Sequence, residues 1–179
     1  PGTGEAGVLV ATAQGTERFD EVVLACHSDQ ALRLLDDATA DERRVLGPIH
    51  YHPNRALLHT DTAVLPARRK AWAAWNYARA DSLGREQAAV CLHYLINQLQ
   101  PLPWHQPVVV SLNPDPAHMP AADQVIAEID YEHPVFDRAA VAAQAQLPRI
   151  QGHSHVWFCG AWTRYGFHED GLMSALKVV

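Results

Sequence analysis

Residues 156–179 read VWFCGAWTRYGFHEDGLMSALKVV. The apolar run Val156, Trp157, Phe158 and Cys159 has the length of a short strand and stops at Gly160. A turn-rich loop follows through Tyr165, Gly166 and Phe167, and a helical pattern opens at Glu169, Asp170 and Gly171. Acidic side chains in a first helical turn sit where the helix dipole favours them. That turn also carries backbone N–H groups with no intrahelical partner, so it can receive an anion or an electron-rich ring edge. Gly160, Gly166 and Gly171 would bring the backbone close to such a ligand with no Cβ in the way. An ordinary crossover with a glycine turn has the same pattern, so this stretch alone leaves both readings open.

The chain has 179 residues, 48% hydrophobic and 19% charged. That is the composition of a globular protein with enough length to bury a core. A net charge of −6 gives no electrostatic pull toward nucleic acid or anionic lipid. No window approaches the ~18 apolar residues of a membrane span, and no signal-peptide pattern is present. Cys26, Cys91 and Cys159 each lie inside an apolar run without metal-site spacing, and read as reduced, buried thiols of a cytoplasmic protein. The chain opens on Pro1 rather than Met, and a helical pattern is still running at Val178 and Val179. It reads as a piece of a longer protein.

Taken in order, Val8, Leu9 and Val10 with the turn at Gln14 and Gly15 predict a hairpin into residues 18–26. Within it FDEVVLAC is a short continuous apolar strand of the kind buried on both faces. Ser28 and Asp29 are N-cap candidates for a helix carrying Ala31, Leu32, Leu34 and Leu35. A second helix over residues 40–46 ends at Gly47 and Pro48. Five strand-like runs follow at residues 56–60, 71–77, 88–97, 107–112 and 125–131, with turn clusters such as Pro114, Asp115 and Pro116 between them. No helix separates these runs, which predicts an antiparallel meander. In residues 90–97, Val90, Leu92, Tyr94 and Ile96 alternate with Cys91, His93, Leu95 and Asn97, giving one apolar and one mixed face. The mixed face reads either as a pocket lining or as half-buried. Pro134 breaks the fifth strand, Asp137 caps a helix with Val141 and Ala145 on one face, and Leu147, Pro148 and Ile150 lead into the final strand. This divides the chain at residues 1–47, 48–137 and 138–179.

The pieces WFCG, YGFHEDG and LMSAL resemble the C-terminal signature of the flavin-containing amine oxidases and their phytoene-desaturase-like and protoporphyrinogen-oxidase-like relatives. A bacterial branch of NAD/FAD-binding, amine-oxidase-like proteins carries a very similar YGFHEDG ending. Asp20, Ala25, Leu34 and Leu35 match a second family unit, and the Cys26–His27 junction then falls where the family's chain passes near the cofactor. The implied fold class is α+β / α/β. Residues 48–137 would form an antiparallel-sheet substrate domain, beside C-terminal pieces of an FAD-binding Rossmann-like domain. The resemblance implies FAD as cofactor and Gly160, Ala161, Tyr165, Gly166, Asp170, Gly171 and Leu172 as its neighbours, with amides near residues 170–172 facing the ring. Tyr165 and His168 would line the ring or the substrate side. Ala161 departs from the family, which has Glu or Asp there to hold the ribityl chain.

The reaction implied is hydride transfer from a C–N or C–H carbon of a small-molecule substrate, an amine, a polyisoprenoid or a lipid chain, to flavin N5. No catalytic base is identifiable. A Rossmann fingerprint, GxGxxG placed after a strand and before a helix, appears nowhere. The family's grip on the FAD pyrophosphate would therefore be supplied by an N-terminal dinucleotide-binding part of the same protein, and this piece alone would be cofactor-free and inactive. Two readings from other classes stand beside this one. His50–x–His52 and His153–x–His155 could share a metal, although histidines on the surface or in an outer supporting role account for them better. Trp72, Trp75, Tyr77 and Trp104 could form a contact patch of a non-catalytic binding or assembly module, although alternate inward strand positions also fit. GxSxG, HExxH and CxxC are all missing.

Overall fold

The computed structural model describes residues 7–78 and 91–179. The chain forms two compact units, Pro1–His52 with His133–Val179, and Pro53–Glu132. The expected boundaries at 47/48 and 137/138 therefore lie inside the first unit, a few residues from the observed crossings.

In the first unit, β1 (Val8–Thr12) and β2 (Gly15–Phe19) pair antiparallel, from Val8↔Phe19 to Thr12↔Gly15. Thr12 Oγ1 accepts from the Gln14 N–H and donates to the Gly15 carbonyl, which closes the tight turn. The predicted strand over FDEVVLAC is shorter than expected. Phe19 ends β2, and only Val22–Leu24 forms β3. It pairs in parallel with β9 (Val156–Phe158), in the register Val22↔Val156 to Leu24↔Phe158. Val23 is 47% exposed, so β3 is not covered on both faces. The outer edge of β9 is closed by one side chain. Gln151 Oε1 accepts from the Phe158 N–H at 2.8 Å, and its Nε2 donates to the Phe158 carbonyl at 2.7 Å.

Four helices surround this pair: α1 (Ser28–Leu34), α2 (Ala40–Leu46), α4 (Arg138–Gln144) and α5 (His168–Ala175). Ser28 is the first helical residue of α1, with His27 in the cap position. At α2, Thr39 Oγ1 accepts from the Glu42 N–H while Glu42 accepts from the Thr39 N–H, a reciprocal box written in the sequence as T-x-x-E. Asp137 caps α4 as expected, accepting from Ala140 N at 2.8 Å. The buried face of α4 is Ala140 and Ala143, whereas Val141 is 54% exposed. Small residues let α4 approach closely, and the core gathers Ala31, Val45, Leu46, Ile49, Ala140, Ala143, Ile150, Val156, Phe158 and Trp162. Full burial of each large apolar side chain here is worth about 1.5–3 kcal/mol.

The second unit is built on a five-stranded sheet, in the order β5 (Trp75–Ala78), β6 (Cys91–Leu95), β7 (Val109–Leu112), β4 (Tyr51–His59) and β8 (Val125–Pro134). β5–β6, β6–β7 and β4–β7 are antiparallel. The simple meander thus holds for β5–β6–β7 only, because β4 is laid beside β7 and separates it from β8. Local corrections accompany this. Residues 69–71 form a 3₁₀ turn before β5. Ile96–Leu99 close one helical turn, α3, instead of extending β6. Pro134 is the last residue of β8, not its breaker. Residues 88–90 of the predicted third strand lie outside the described residues.

Strand β6 is buried on both faces except at Tyr94, with Leu92 covered as fully as its mixed face. Cys91, His93 and Leu95 are buried, with Leu95 packed on Val109, Leu65, Val64 and Trp72. Across the sheet, Tyr94 pairs with Trp75 edge-to-face at a centroid distance of 5.4 Å, and Trp75 and Tyr77 are exposed. The mixed face is tolerated inside because its polar groups hydrogen-bond to one another.

Candidate cofactor site

The first unit brings two strand ends together, the carboxyl ends of the parallel pair β3 and β9, where open α/β sheets place ligands. Trp162 Nε1 donates to the Cys26 carbonyl at 2.9 Å, tying the end of β3 to the 3₁₀ turn Ala161–Thr163 that follows β9. Gly160 joins this strand to the turn at φ +150°, and a Cβ there would fall 2.7 Å from Trp162 Nε1. Ser174 of α5 clasps the same glycine. Its Oγ accepts from Gly160 N at 2.8 Å and donates to the Gly171 carbonyl at 2.7 Å.

The loop 164–167 is held by Asp170. This buried carboxylate accepts from Phe167 N at 3.1 Å and Tyr165 N at 3.2 Å, with Arg164 Nε 3.7 Å from its other oxygen. Gly166, at φ +88°, turns the loop over Phe136. The N–H groups of Asp170 and Gly171 both donate to the Phe167 carbonyl, at 3.0 and 3.2 Å. Helix geometry therefore leaves the His168 and Glu169 amides, not those of residues 170–172, as the donors facing out of the first turn. Gly171 would meet an added Cβ only at ordinary contact, 3.7 Å from Ala161 N. Tyr165 and Leu172 are exposed, and Ala161 brings no carboxylate.

Beyond the end of β3, His27 stacks on Tyr51 at 4.2 Å and 11°. Tyr51 Oη accepts from Ser28 N at 2.9 Å and shares a hydrogen bond with Ser28 Oγ. Burial pushes the Tyr51 hydroxyl above its ordinary value, and these bonds pull partly back. Burial, then the Asp29 charge, raises the Cys26 thiol. His133 is pushed down by burial and by the charge of His27. Two buried polar atoms here, His27 Nδ1 and Asp29 Oδ1, stand 3.9 Å apart without a hydrogen-bond partner. Sequence reasoning named the Cys26–His27 junction but not Tyr51, Trp162 or Ser174. Each of these acts across a long sequence separation, where no local pattern signals it.

The competing sites separate differently. His155 Nδ1 bonds Glu21 Oε1 at 3.1 Å, and among the described residues no group of three metal-ligating side chains comes together. Of the aromatics, Trp72 packs inward with Nε1 donating to the Pro66 carbonyl. Trp75, Tyr77 and Trp104 are exposed, so inward packing does not account for them. All three cysteines are free thiols. Among the described residues no helix is long and apolar enough to cross a membrane.

No family model and no curated protein sequence matches the chain. Solved structures do. The chain is similar to a CLA-producing fatty acid isomerase from P. acnes, with a TM-score of 0.63 at 15% identity, covering 98% of this chain. It is also similar to a putative protoporphyrinogen oxidase from Exiguobacterium sp. 255-15, with a TM-score of 0.58 at 14% identity and the same coverage. The chain spans 44% of the length of each of these proteins. At this identity the likeness shows the fold: a mixed α/β protein with an antiparallel sheet and a parallel strand pair.

Proposed function

We propose that this chain is part of an FAD-dependent oxidoreductase resembling the flavin-containing amine oxidases. The observation that carries the reading is the carboxyl edge of β3 and β9. There a glycine that admits no Cβ, the Asp170-held loop and the first turn of α5 meet beside the unpaired polar atoms of His27 and Asp29. Gly160 and the outward amides of His168 and Glu169 would hold the cofactor, with Tyr165, Gly166 and Leu172 exposed beside them. The Asp170 carboxylate orients the loop rather than the ligand. The Ala161 side chain offers no hydrogen bond to a ribityl chain, so the carboxylate contact falls to other groups.

When bound, a flavin supplies the hydride acceptor. The chain's own groups bind, orient and exclude water. The aromatic face of the second unit, with exposed Trp75 and Tyr77 beside half-buried Tyr94, suits an apolar substrate such as an amine with a hydrocarbon body, a polyisoprenoid or a lipid chain. The outer edge of β3 carries no strand among the described residues. A two-stranded parallel sheet with three paired residues on each strand is too small to stand alone. A dinucleotide-binding part of the same protein, pairing along β3, is the partner this edge fits.

Purified chain and a longer protein carrying an upstream dinucleotide-binding part are compared by visible absorption, with flavin released by denaturation and quantified. A flavin band in the longer protein supports the reading. If neither sample carries or takes up flavin, the oxidoreductase reading fails.

A further inference from the structure

The covered face of the second unit's sheet contains a hydrogen-bond chain that the flavin reading does not use. Ser111 Oγ on β7 lies 2.7 Å from His59 Nε2 on β4 and 2.6 Å from His93 Nδ1 on β6. His93 Nε2 continues to Cys91 Sγ at 3.6 Å, and Cys91 is supported in turn by the Asp115 backbone N–H. All four side chains are buried, His59 and Ser111 completely. His59 Nδ1 has no partner in hydrogen-bond geometry. Asp61 faces that ring through its charge and its backbone.

A serine hydroxyl has one proton to donate. Ser111 therefore donates to one imidazole and accepts from the other, since accepting from both would leave its own buried O–H without an acceptor. In one arrangement His59 Nε2–H donates to Ser111, Ser111 donates to His93 Nδ1, and His93 Nε2–H points to Cys91. In the other every bond reverses, starting from the Cys91 S–H. The two neutral rings thus carry their protons on Nε2 together or on Nδ1 together. An added proton enters without breaking a bond only at His59 Nδ1. A second would enter at His93 Nδ1, where the Ser111 hydroxyl already points. It would also set two imidazolium rings on either side of one buried oxygen.

We propose that His59, Ser111 and His93 form an acid-sensitive latch across β4, β6 and β7, closed while the pair holds at most one proton and opened by uptake of a second. The groups facing the pair are Asp61 after β4, Cys91 on β6, Asp115 after β7, and the Asn76 amide on β5, which donates to the His93 carbonyl at 3.2 Å. The Asp61 charge favours the first proton, on His59, whereas His93 is shifted by burial and by the His59 charge and by neither carboxylate. Asp61 accepts from the Ala63 and Ala121 amides at 2.8 and 2.9 Å. Asp115 accepts from Ala117 N and lies 3.4 Å from His118 Nδ1. Burial pushes both His59 and His93 below the ordinary histidine range, as the latch requires.

Opening exposes Cys91, which serves as the readout. The intact chain is treated with 4,4′-dithiodipyridine, a thiol probe that reacts in acid, across the pH range spanning the ordinary histidine pKa of about 6.5. Cys91 labelling is mapped by peptide mass and normalised to the rate in denaturant. Protection at neutral pH should give way in acid, with a slope approaching 100-fold per pH unit while opening takes up two protons, and at most about tenfold in His59→Gln or His93→Gln. Continued protection of Cys91 in acid, or the wild-type slope in either variant, overturns the latch. Ring ¹⁵N shifts of the unmodified chain at neutral pH give a test that needs no variant. The same tautomer is expected at His59 and His93, and opposite tautomers overturn the proposal.

Discussion

Gly160 and Gly171 lie eleven positions apart and should respond to alanine with opposite signs. At Gly160 the backbone sits at φ +150° and ψ 164°, a region essentially reserved for glycine. Holding alanine there costs about 1–3 kcal/mol. The added Cβ would also lie 2.7 and 2.8 Å from Trp162 Nε1 and Cδ1, so the indole must shift. Its bond to the Cys26 carbonyl is then lost, which leaves a buried donor unpaired at a further ~1–3 kcal/mol. The sum for Gly160→Ala is a loss of about 2–6 kcal/mol, a large fraction of the about 5–15 kcal/mol that holds a domain folded. Gly171 is helical and open, with its nearest non-helix neighbour at 3.7 Å. Gly171→Ala should therefore gain about 0.5–1 kcal/mol from helix propensity alone. Urea denaturation followed by circular dichroism reads both, as a fall and a rise in the midpoint. A wild-type midpoint for Gly160→Ala, or a Gly171→Ala loss as large as that expected at Gly160, would refute the geometry of the turn.

Two further perturbations probe the same unit. Asp170→Ala removes a buried acceptor from the Tyr165 and Phe167 amides. Hydrogen bonds to a charged group contribute about 1.5–3 kcal/mol, so amide exchange at those two residues should accelerate first; unchanged exchange there would deny Asp170 its role in the loop. Tyr51→Phe tests the alkaline limb. The folded hydroxyl is held above the unfolded value of about 10, so the unfolded chain ionises first and stability is lost as pH rises past that value. The variant should flatten this limb while losing the bonds to Ser28 at all pH values. An alkaline limb as steep as wild type would place the titrating group elsewhere.

Much of the local structure was legible because it obeys short-range rules. The hairpin at Gln14 and Gly15, the Asp137 cap and the positions of most strands follow from turn chemistry and period. The box at Thr39 and Glu42 is equally present in the sequence, as T-x-x-E. The parallel pairing of β3 with β9 joins residues over a hundred positions apart, and periodicity carries no such information. The same holds for the insertion of β4 beside β7. The mixed face of β6 is legible in the sequence as mixed, but its full burial is not. His93 finds its partner in Ser111 on another strand, and Cys91 finds its partner in His93, which alternation within β6 does not signal. At the candidate site, Gly160 and Gly166 stood out as glycines, whereas the burial of Asp170 and its use within the loop depend on where that loop folds back.

Gln151 has a consequence for how the molecule meets other chains. A primary amide carries donor and acceptor on one planar group, so at Phe158 it imitates a single peptide of a neighbouring strand. Any foreign strand arriving there must first evict a tethered competitor that is always present at high local concentration. Such an edge resists the indiscriminate pairing to which unprotected sheets are prone. Lateral growth of the parallel pair is thereby made directional: one flank is sealed from within, and recruitment is confined to the other.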